Sequence, residues 1–466
     1  MKFHPVFLLL FTALFPVLAA GRPNVIFLLV DDMGYADVGV YGNTYHQTPH
    51  IDRLAAEGMR FTDAYAAAPN CSPTRGSILT GHWPARTGVT QYLAGNFLPH
   101  AKLFQAQLPD GLPLRETLIA QPLRAAGYAT ASIGKWHLGA GEYLPEKRGF
   151  DLNFAGSYWG HHAAMFAPYK VPDIPDATPG EYLTDRLTRE SERFIEANRD
   201  RPFFLYLPLY AVHSPIEAKA RLIEKYKQRT DPTGRNNATY AAMVEGVDQC
   251  VSRLTRKLAE LGLTGRTIIF FFSDNGGVEG RAFNGCLRRG KGWLYEGGIR
   301  EPLIIKWPGV TKPGAVSRTP VSSVDFYPTI LAMTGVSDTH GHLSDGLSLT
   351  PLLTVAGPLE RSTLYWHYPH YSNAGASPTG AIREGEWKLI EFFEDNHLEL
   401  YNLKADPGEQ HNLAPVKSKL ARRLLEKLRR WRTETGAQMP VPNPDYVPAK
   451  AKMKRGIRAR WDRHRN

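Results

Sequence analysis

The run Cys71-Ser-Pro-Thr-Arg75 has residue types and a spacing that could do chemistry. The stretch Thr62–Ala68 before it reads as a helical, alanine-rich approach, and Gly76-Ser-Ile-Leu-Thr-Gly81 follows, so Cys71 is expected where a loop enters a helix. Proline presets the turn, and the arginine four residues on brings a fixed positive charge back over the sulfur. A buried, inert thiol beside a helix-starting proline is the plain alternative. Five further groups carry reactive side chains. Asp31-Asp32 at the end of one apolar run pairs naturally with Asp274-Asn275 at the end of another; adjacent carboxylates repel one another, the more so when buried, so such a group calls for a cation. Hard oxygen donors suit Ca²⁺ or, less well, Mg²⁺; zinc would ask for His or Cys. Taken singly, either pair could merely cap a turn or a helix. In Gly134-Lys-Trp-His-Leu-Gly139, alternation puts Lys135 and His137 on one side of an extended segment. His213 stands in Tyr210-Ala-Val-His-Ser-Pro215, and Arg289-Gly-Lys-Gly-Trp293 sets Lys291 in a glycine-rich loop that lets the backbone approach an anion.

The elements that must position these groups are apolar runs alternating with helices. Asn24–Val30 is a continuous apolar run, as expected of a buried parallel strand. Similar runs recur at Ala129–Ile133, Phe203–Leu207, Thr267–Phe272 and Leu303–Ile305. The clearest helix is Tyr240–Leu261, with Met243, Val247, Leu254, Leu258 and Leu261 on one face and Gly262 as its stop. Strands alternating with helices predict an α/β sandwich around a mostly parallel sheet, in which functional groups gather at the carboxyl ends of the strands. Four of these runs do end in polar chemistry: Asp31-Asp32, Lys135 with His137, His213, and Asp274-Asn275. Residues 20–355 are assigned to this catalytic unit. Residues 356–436 read as a smaller α+β subdomain: strand-like pieces at Ala381–Glu391 and His397–Leu403, then an amphipathic helix Val416–Thr435. Residues 437–466 read as a proline-rich connector (Pro440–Pro448) and a basic tail.

As a set these segments resemble the formylglycine-dependent (type I) sulfatases, built on an alkaline-phosphatase-like fold. The resemblance rests on Asp31-Asp32, C-S-P-T-R, G-K-W-H-L-G, His213-Ser-Pro, Ser273-Asp-Asn-Gly276 and G-K-G-W-L-Y-E-G-G-I-R, in that order. It covers Asn24 to about Thr334 and weakens beyond. It implies that Cys71 is converted by a maturation enzyme to formylglycine, whose hydrate attacks sulfur. Asp31, Asp32, Asp274 and Asn275, with an oxygen of the modified Cys71, would then hold Ca²⁺. Arg75 and Lys135 would bind the hydrate and the sulfate, Lys291 a sulfate oxygen. His213 is the implied general acid with Lys291 the other contender, and His137 would steer the second hydroxyl. Arg289 and Trp293 depart from the family pattern and bear on the shape of the subsite. Fixed cations of this kind suit sulfate-ester cleavage, which builds charge on the nucleophile, the sulfuryl oxygens and the leaving oxygen.

Aromatic and imidazole groups suggest a sugar site. Tyr365-Trp-His367-Tyr-Pro-His370-Tyr371, and Tyr158-Trp159 with His161-His162, offer ring faces and hydrogen bonds to a carbohydrate, or pack internally. The expected substrate is a sulfated poly- or oligosaccharide. An arylsulfatase, a phosphonate or phosphate ester hydrolase, and a sulfoglycan-binding protein with unconverted Cys71 are the alternatives.

Residues 1–19 carry Lys2, an apolar run and Val-Leu-Ala19, a secretory signal too short to span a bilayer, so export to the periplasm or medium is expected without a transmembrane anchor. Of the three cysteines, Cys250 and Cys286 could pair, or Cys250 could flank the apolar face of its helix with Cys286 free. Net charge is +11, and Lys450–Asn466 supplies seven of these charges, so the body itself is only mildly basic. A solvated end, or one held near polyanionic glycan, fits this tail; nucleic-acid binding does not fit an exported chain without a recognition motif.

Overall fold

The computed structural model describes residues 21–451, apart from 97, 170–173, 175–176, 233 and 338–340. The expected signal segment 1–19 and most of the basic tail, 452–466, lie outside the described residues.

Strand β1 (Asn24–Val30) lies at the centre of the main sheet. All seven of its residues are buried, and alternate side chains feed two different cores. Ile26, Leu28 and Val30 face one helical layer, while Val25, Phe27 and Leu29 face the other. That two-sided burial is why the run is continuously apolar. Phe27 stacks on Phe270, with ring centroids 5.3 Å apart, and meets Phe326 at 5.4 Å. Truncating it to alanine would cost about 3–5 kcal/mol.

The other main-sheet strands are β2 (Met59–Tyr65), β3 (Ala129–Ile133), β4 (Leu152–Phe154), β5 (Phe203–Pro208), β6 (Thr267–Ser273), β7 (Arg300–Lys306), β8 (Ala315–Ser317) and β9 (Val321–Ser322). Their order is β9-β2-β7-β6-β1-β5-β3-β4, with β8 also beside β2. Every pairing is parallel except those of β7, which runs antiparallel to β2 and β6. The sheet is therefore mixed but mostly parallel, as expected.

The approach to Cys71 corrects the helical reading of Thr62–Ala68. Met59–Tyr65 is strand β2, since pairing with β7, β8 and β9 outweighs the helix propensity of Ala64 and the alanines that follow. Helices α1 (Pro49–Glu57), α2 (Cys71–Thr80), α3 (Leu183–Ala197), α4 (Ala238–Glu260) and α5 (Phe326–Thr334) flank the sheet. The side chain of Asn237 caps α4 by accepting the Tyr240 N–H at 3.1 Å. The chain leaves this helix through Leu261 and Gly262, whose φ of +68° only glycine adopts freely. Its buried face includes Met243, Val247, Leu254 and Leu258. Cys250 is buried on that helix and Cys286 is exposed; both are free thiols.

A second, antiparallel sheet follows: β10 (Thr363–Tyr368), β11 (Thr379–Glu384), β12 (Trp387–Phe392) and β13 (Leu398–Asn402), with helix α6 (Ser418–Thr435) packed on it through Leu424, Leu428 and Trp431. The segment expected as one strand-like piece, Ala381–Glu391, is two strands joined by a turn. Trp366 ties this unit to the main one, its indole N–H donating to the Ala66 carbonyl at 2.8 Å. The expected connector is docked, not free. Val441–Pro442 pairs with Leu103–Phe104, and Asn443 donates to the carbonyls of Pro99 and Ala101. Among the described residues no helix is long and apolar enough to cross a membrane.

Candidate active site

Parallel strands bring their carboxyl ends to one edge of a sheet, and the reactive groups of this chain lie along that edge. The ladder continues past the strands and fixes them there. Asp31 N–H donates to the Ala211 carbonyl at 3.0 Å, and Asp274 N–H to the Val30 carbonyl at 3.0 Å. Helix α2 then delivers Cys71, as its first residue, to the same place, and all ten of its residues are buried. Asn70, just before Cys71, donates to the Tyr368 hydroxyl at 2.9 Å and also bonds Gln91. Gln91 reaches the same hydroxyl at 2.7 Å.

Around the thiol stand three carboxylates and three cations. Asp31 Oδ1 is 3.6 Å from Cys71 Sγ, and its Oδ2 accepts from Lys135 Nζ at 2.6 Å. Arg75 forks onto Asp274 Oδ2 through Nε (2.9 Å) and Nη2 (2.7 Å) and donates to the Lys135 carbonyl. Lys291 Nζ lies 2.7 Å from Asp32 Oδ1 and 2.9 Å from Oδ2, and 3.5 Å from Cys71 Sγ. The charges balance in number, but the carboxylates crowd. Ligand atoms of Asp31, Asp32, Cys71 and Asp274 all fall within 4.8 Å of one another. Burial and the Asp31 carboxylate push Asp274 up to about 6 despite its arginine. Asp32 is held well below the usual range, because Lys291, His213 and Lys135 together outweigh its burial.

The donor set fits a hard divalent cation. Asn275 donates its amide N–H to Asp32 Oδ1 at 2.8 Å, which leaves the amide oxygen as a buried acceptor with no hydrogen-bond partner. Beside three carboxylates, an orphaned oxygen is what a cation preferring six to eight oxygen ligands would take up.

As a cysteine, Cys71 is a poor nucleophile. Burial pushes its thiol up to about 12, with Lys135 and Lys291 offsetting only part of that, so the reactive thiolate is scarce at neutral pH.

Lys135 and His137 do reach one site, but not by extended alternation. Gly134 (φ +124°), His137 (φ +59°) and Gly139 (φ +121°) turn the chain at each step. His137 Nε2 contacts the Leu93 carbonyl at 3.3 Å, and burial with the nearby Lys135 holds the ring neutral. The left-handed backbone of His137 and of Asp32 (φ +62°) is strain of the kind concentrated at functional sites. His213 places Nδ1 2.8 Å from the Ser214 carbonyl and Nε2 3.7 Å from Asp32 Oδ2. The bond to a carbonyl requires the proton on Nδ1, leaving a lone pair on Nε2; burial pushes this ring down to about 3.

The rim was only partly legible. His161 stacks near His213, with ring centroids 6.2 Å apart. His162 packs on Tyr210 at 3.8 Å and is buried with no hydrogen-bond partner on either nitrogen. Arg289 lies over the Trp293 ring at 4.8 Å and 3.4 Å from Glu279. His367 and His370 are not brought to the site. His367 is buried in β10 with Nε2 2.8 Å from the Gln438 carbonyl, and His370 Nε2 meets Thr90 Oγ1 at 2.7 Å. Strand β10, which carries His367 and ends two residues before His370, packs between the two units, and its contribution to the site comes from Tyr368 through Asn70. Tyr92 and Asn373 were missed. Asn373 donates to the Tyr92 hydroxyl at 3.2 Å, and Tyr92 stands close enough to Lys291 and Cys71 for both to act on its hydroxyl. No motif surrounds either residue, so only the fold reveals them.

A nucleophile helix, an acidic cation cluster and fixed cations at the carboxyl edge of an α/β sheet define a hydrolase of anionic esters. The family model described as Sulfatase matches residues 23–336, and one described as N-sulphoglucosamine sulphohydrolase, C-terminal, matches 289–434. Arylsulfatase A of Bos taurus is 31% identical, covering 88% of this chain and 87% of its own. N-acetylgalactosamine-6-sulfatase of Homo sapiens is 34% identical, covering 75% and 69%. Among solved structures, Ps i-CgsB in complex with k-i-k-neocarrahexaose superposes with a TM-score of 0.76 at 30% identity over 91% of this chain and 95% of its own. The chain belongs to the sulfatase family, the type I sulfatases of alkaline-phosphatase-like fold, and the activity that goes with membership is hydrolysis of sulfuric esters.

Proposed function

We propose that this protein is an exported, Ca²⁺-dependent sulfatase that removes O-sulfate from a carbohydrate, with Cys71 converted to formylglycine. The observation that carries the reading is the convergence of Asp31, Asp32, Asp274 and the orphaned Asn275 oxygen on a buried residue 71. In the structure Cys71 Sγ stands where an aldehyde-hydrate oxygen would be. That hydrate would supply the attacking hydroxyl, which the suppressed thiol does not, and Ca²⁺ would stabilise developing negative charge. Arg75, Lys135 and Lys291 balance the three carboxylates, so a divalent ion leaves the site net positive and suited to a sulfate monoester.

The side chains of this chain then do the following. Lys135 and Arg75 orient Asp31 and Asp274. Lys291, next to Cys71, binds a sulfate oxygen and carries a proton held by Asp32. Because the Nδ1–H of His213 is committed to the Ser214 carbonyl, its Nε2 accepts rather than donates in the resting arrangement. That geometry favours Lys291 as the proton donor to a sugar leaving oxygen, with His213 the acceptor beside it. His137, held neutral with Nε2 against the Leu93 carbonyl, would accept a proton from a hydroxyl of residue 71.

The sugar assignment is supported by two of the proteins above, one named N-acetylgalactosamine-6-sulfatase and one solved in complex with k-i-k-neocarrahexaose. It is also supported by the aromatic and amide groups of Tyr92, Trp293, Asn373 and His161 around the cations, since ring faces stack on sugars. The Lys2-led apolar N-terminus supports export. Peptide mass spectrometry across Cys71 of the exported protein tests the reading. The expected product has sulfur replaced by oxygen with loss of two hydrogens, and it releases sulfate from a panel of sulfated oligosaccharides. An intact thiol from a host that performs the maturation would overturn it.

A further inference from the structure

Helix α2 presents Cys71 at its first turn, and its opposite end holds a second cluster of ligating side chains. The helix stops at Gly81 (φ +71°), and His82 follows. Glu116, from the segment leading toward β3, and His342, from the loop after α5, meet it there. His82 Nδ1 lies 2.6 Å from Glu116 Oε2, the two imidazole rings are 4.3 Å apart, and one ligand atom from each of the three residues falls within 4.8 Å of the others. Glu116 is buried and both histidines are half-buried.

The outer nitrogens are oriented by backbone. His82 Nε2 donates to the Leu343 carbonyl at 2.7 Å, and His342 Nε2 to the Thr80 carbonyl at 2.5 Å. Such an N–H to carbonyl bond fixes the tautomer of a metal-binding histidine and leaves Nδ1 as the ligating atom. An ion pair between His82 and Glu116 needs only one imidazole. The second ring, tilted by 35° at 4.3 Å with its Nδ1 lone pair uncommitted to the Thr80 bond, is unexplained by that pair.

We infer that His82, Glu116 and His342 form a binding site for a divalent transition ion, Zn²⁺ foremost, separate from the carboxylate cluster at Cys71. Two imidazoles and one carboxylate are the donors of zinc and its neighbours, not of Ca²⁺, and the half-exposed histidines leave a fourth position to water. On binding, the N–H bond of His82 Nδ1 breaks, its proton passes to solvent, and the metal takes the gap now bridged to Glu116.

The ion would be structural. The loop around His342 is already tied to the end of α2: Asp345 N–H donates to the Gly81 carbonyl at 3.0 Å, Asp345 Oδ2 accepts the Trp83 N–H at 2.9 Å, and Arg86 forks onto the same carboxylate. A metal across His82 and His342 adds a direct bond between the same two segments and braces the helix that holds residue 71.

The test uses the full mature protein, stripped of metal, resaturated with excess Ca²⁺ and titrated with Co²⁺. The expected result is ligand-field absorption of one bound Co²⁺ per chain, displaced by Zn²⁺ and retained in Cys71→Ala. Glu116→Gln and His342→Ala should each weaken Co²⁺ binding by more than about tenfold while circular dichroism stays that of the parent. Zn²⁺ should also raise the melting temperature of the parent protein under the same Ca²⁺ excess, a readout that needs no folded variant. Absence of one-equivalent binding, its loss in Cys71→Ala, its survival in both ligand variants, or a melting temperature indifferent to Zn²⁺ would overturn the site.

Discussion

Replacing Lys388 by methionine should destabilise the protein by about 3–5 kcal/mol, the range for leaving an uncompensated charge where a buried pair stood. Lys388 Nζ lies 2.9 Å from Glu296 Oε1 and 2.9 Å from Glu409 Oε1, and all three side chains are fully buried. The two carboxylates share this cation unequally. Burial pushes Glu409 up to about 7, only partly offset by Lys388. Lys388, Arg300 and Arg383 together overcome burial at Glu296 and hold it down to about 2. Glu409, with its folded pKa raised, contributes stability that is complete below about pH 4 and lost as pH rises through 7. Glu296, with its folded pKa lowered, contributes stability present above about pH 4 and lost only as pH falls through 2. Without Lys388 the unpaired charge is therefore worst above pH 7 and partly relieved at pH 5, where Glu409 is protonated. Denaturant or thermal unfolding of the variant at pH 5 and pH 8 reads this directly. The consequence should reach the active site, because Glu296 opens the turn that closes the Lys291 loop. Gly297 N–H donates to the Arg288 carbonyl at 2.9 Å, and a Cβ on Gly276 would lie 1.9 Å from the Gly297 oxygen. We expect kcat/KM to fall about tenfold at temperatures where the variant is fully folded, equivalent to about 1.4 kcal/mol of transition-state stabilisation. The double variant Lys388→Met/Glu409→Gln should recover part of the stability, since an amide oxygen can still accept the Glu296 N–H. A loss below about 1 kcal/mol, or one identical at pH 5 and pH 8, would refute the argument that this cluster carries buried, uncompensated charge.

Cys71→Ala should abolish sulfate release with the melting temperature nearly unchanged; residual turnover above background would rule out residue 71 as the source of the nucleophile. His213→Ala should lower turnover of aryl and sugar sulfates by similar factors if the proton comes from Lys291, whereas a loss confined to sugar sulfates would move the acid to His213. Asp248 accepts the N–H groups of His50 (2.9 Å) and Ile51 (2.8 Å) at the start of α1, and burial pushes it up to about 7. Its folded pKa being raised, this group's stabilisation is present below about pH 4 and lost as pH rises through 7. Asp248→Asn, which keeps the acceptor without the charge, should therefore gain on the parent by about 2–3 kcal/mol between pH 5 and pH 8. A pH-independent difference in unfolding free energy would contradict that account.

The central strands were legible because burial on both faces leaves an unbroken apolar run, and because strand ends in a parallel sheet must carry the polar chemistry. The sequence placed Asp31, Lys135, His213 and Asp274 at strand ends for that reason, and the fold brings them together. It misread Thr62–Ala68 because a strand's pairing partners lie far along the chain, at residues 300–322, where local propensity cannot see them. His367 and His370 looked like a sugar rim from composition alone, yet aromatic density marks a packed interface as readily as a binding surface. Tyr92 and Asn373 were invisible because nothing local distinguishes a rim residue from a loop residue. The docking of the proline-rich connector after α6 was not legible either: proline excludes a regular strand interior but not edge pairing, and Val441–Pro442 takes that role beside Leu103–Phe104.

The C-terminal unit braces the candidate site from outside. The family model that matches 289–434 begins at the loop bearing Lys291 and ends in α6, across what the fold makes a single packed body. Tyr295 donates to Glu399 at 2.7 Å, Trp293 to the Ala374 carbonyl at 3.2 Å, and Lys388 reaches Glu296, so the loop that presents Lys291 is seated on the small sheet. From the other side, Tyr368 of β10 receives Asn70 and Gln91, which fixes the residue before Cys71. Both Cys71 and the Lys291 cation beside it, 3.5 Å apart, are thus held from a sheet that contributes no residue to the carboxylate cluster. Electrostatic catalysis works only when the charges are in place before the reaction begins. That requirement is met here by fully buried ion pairs, weak sources of net stability in themselves, at the carboxylate cluster (Arg75 with Asp274, Lys135 with Asp31) and, across the two units, by Lys388 with Glu296.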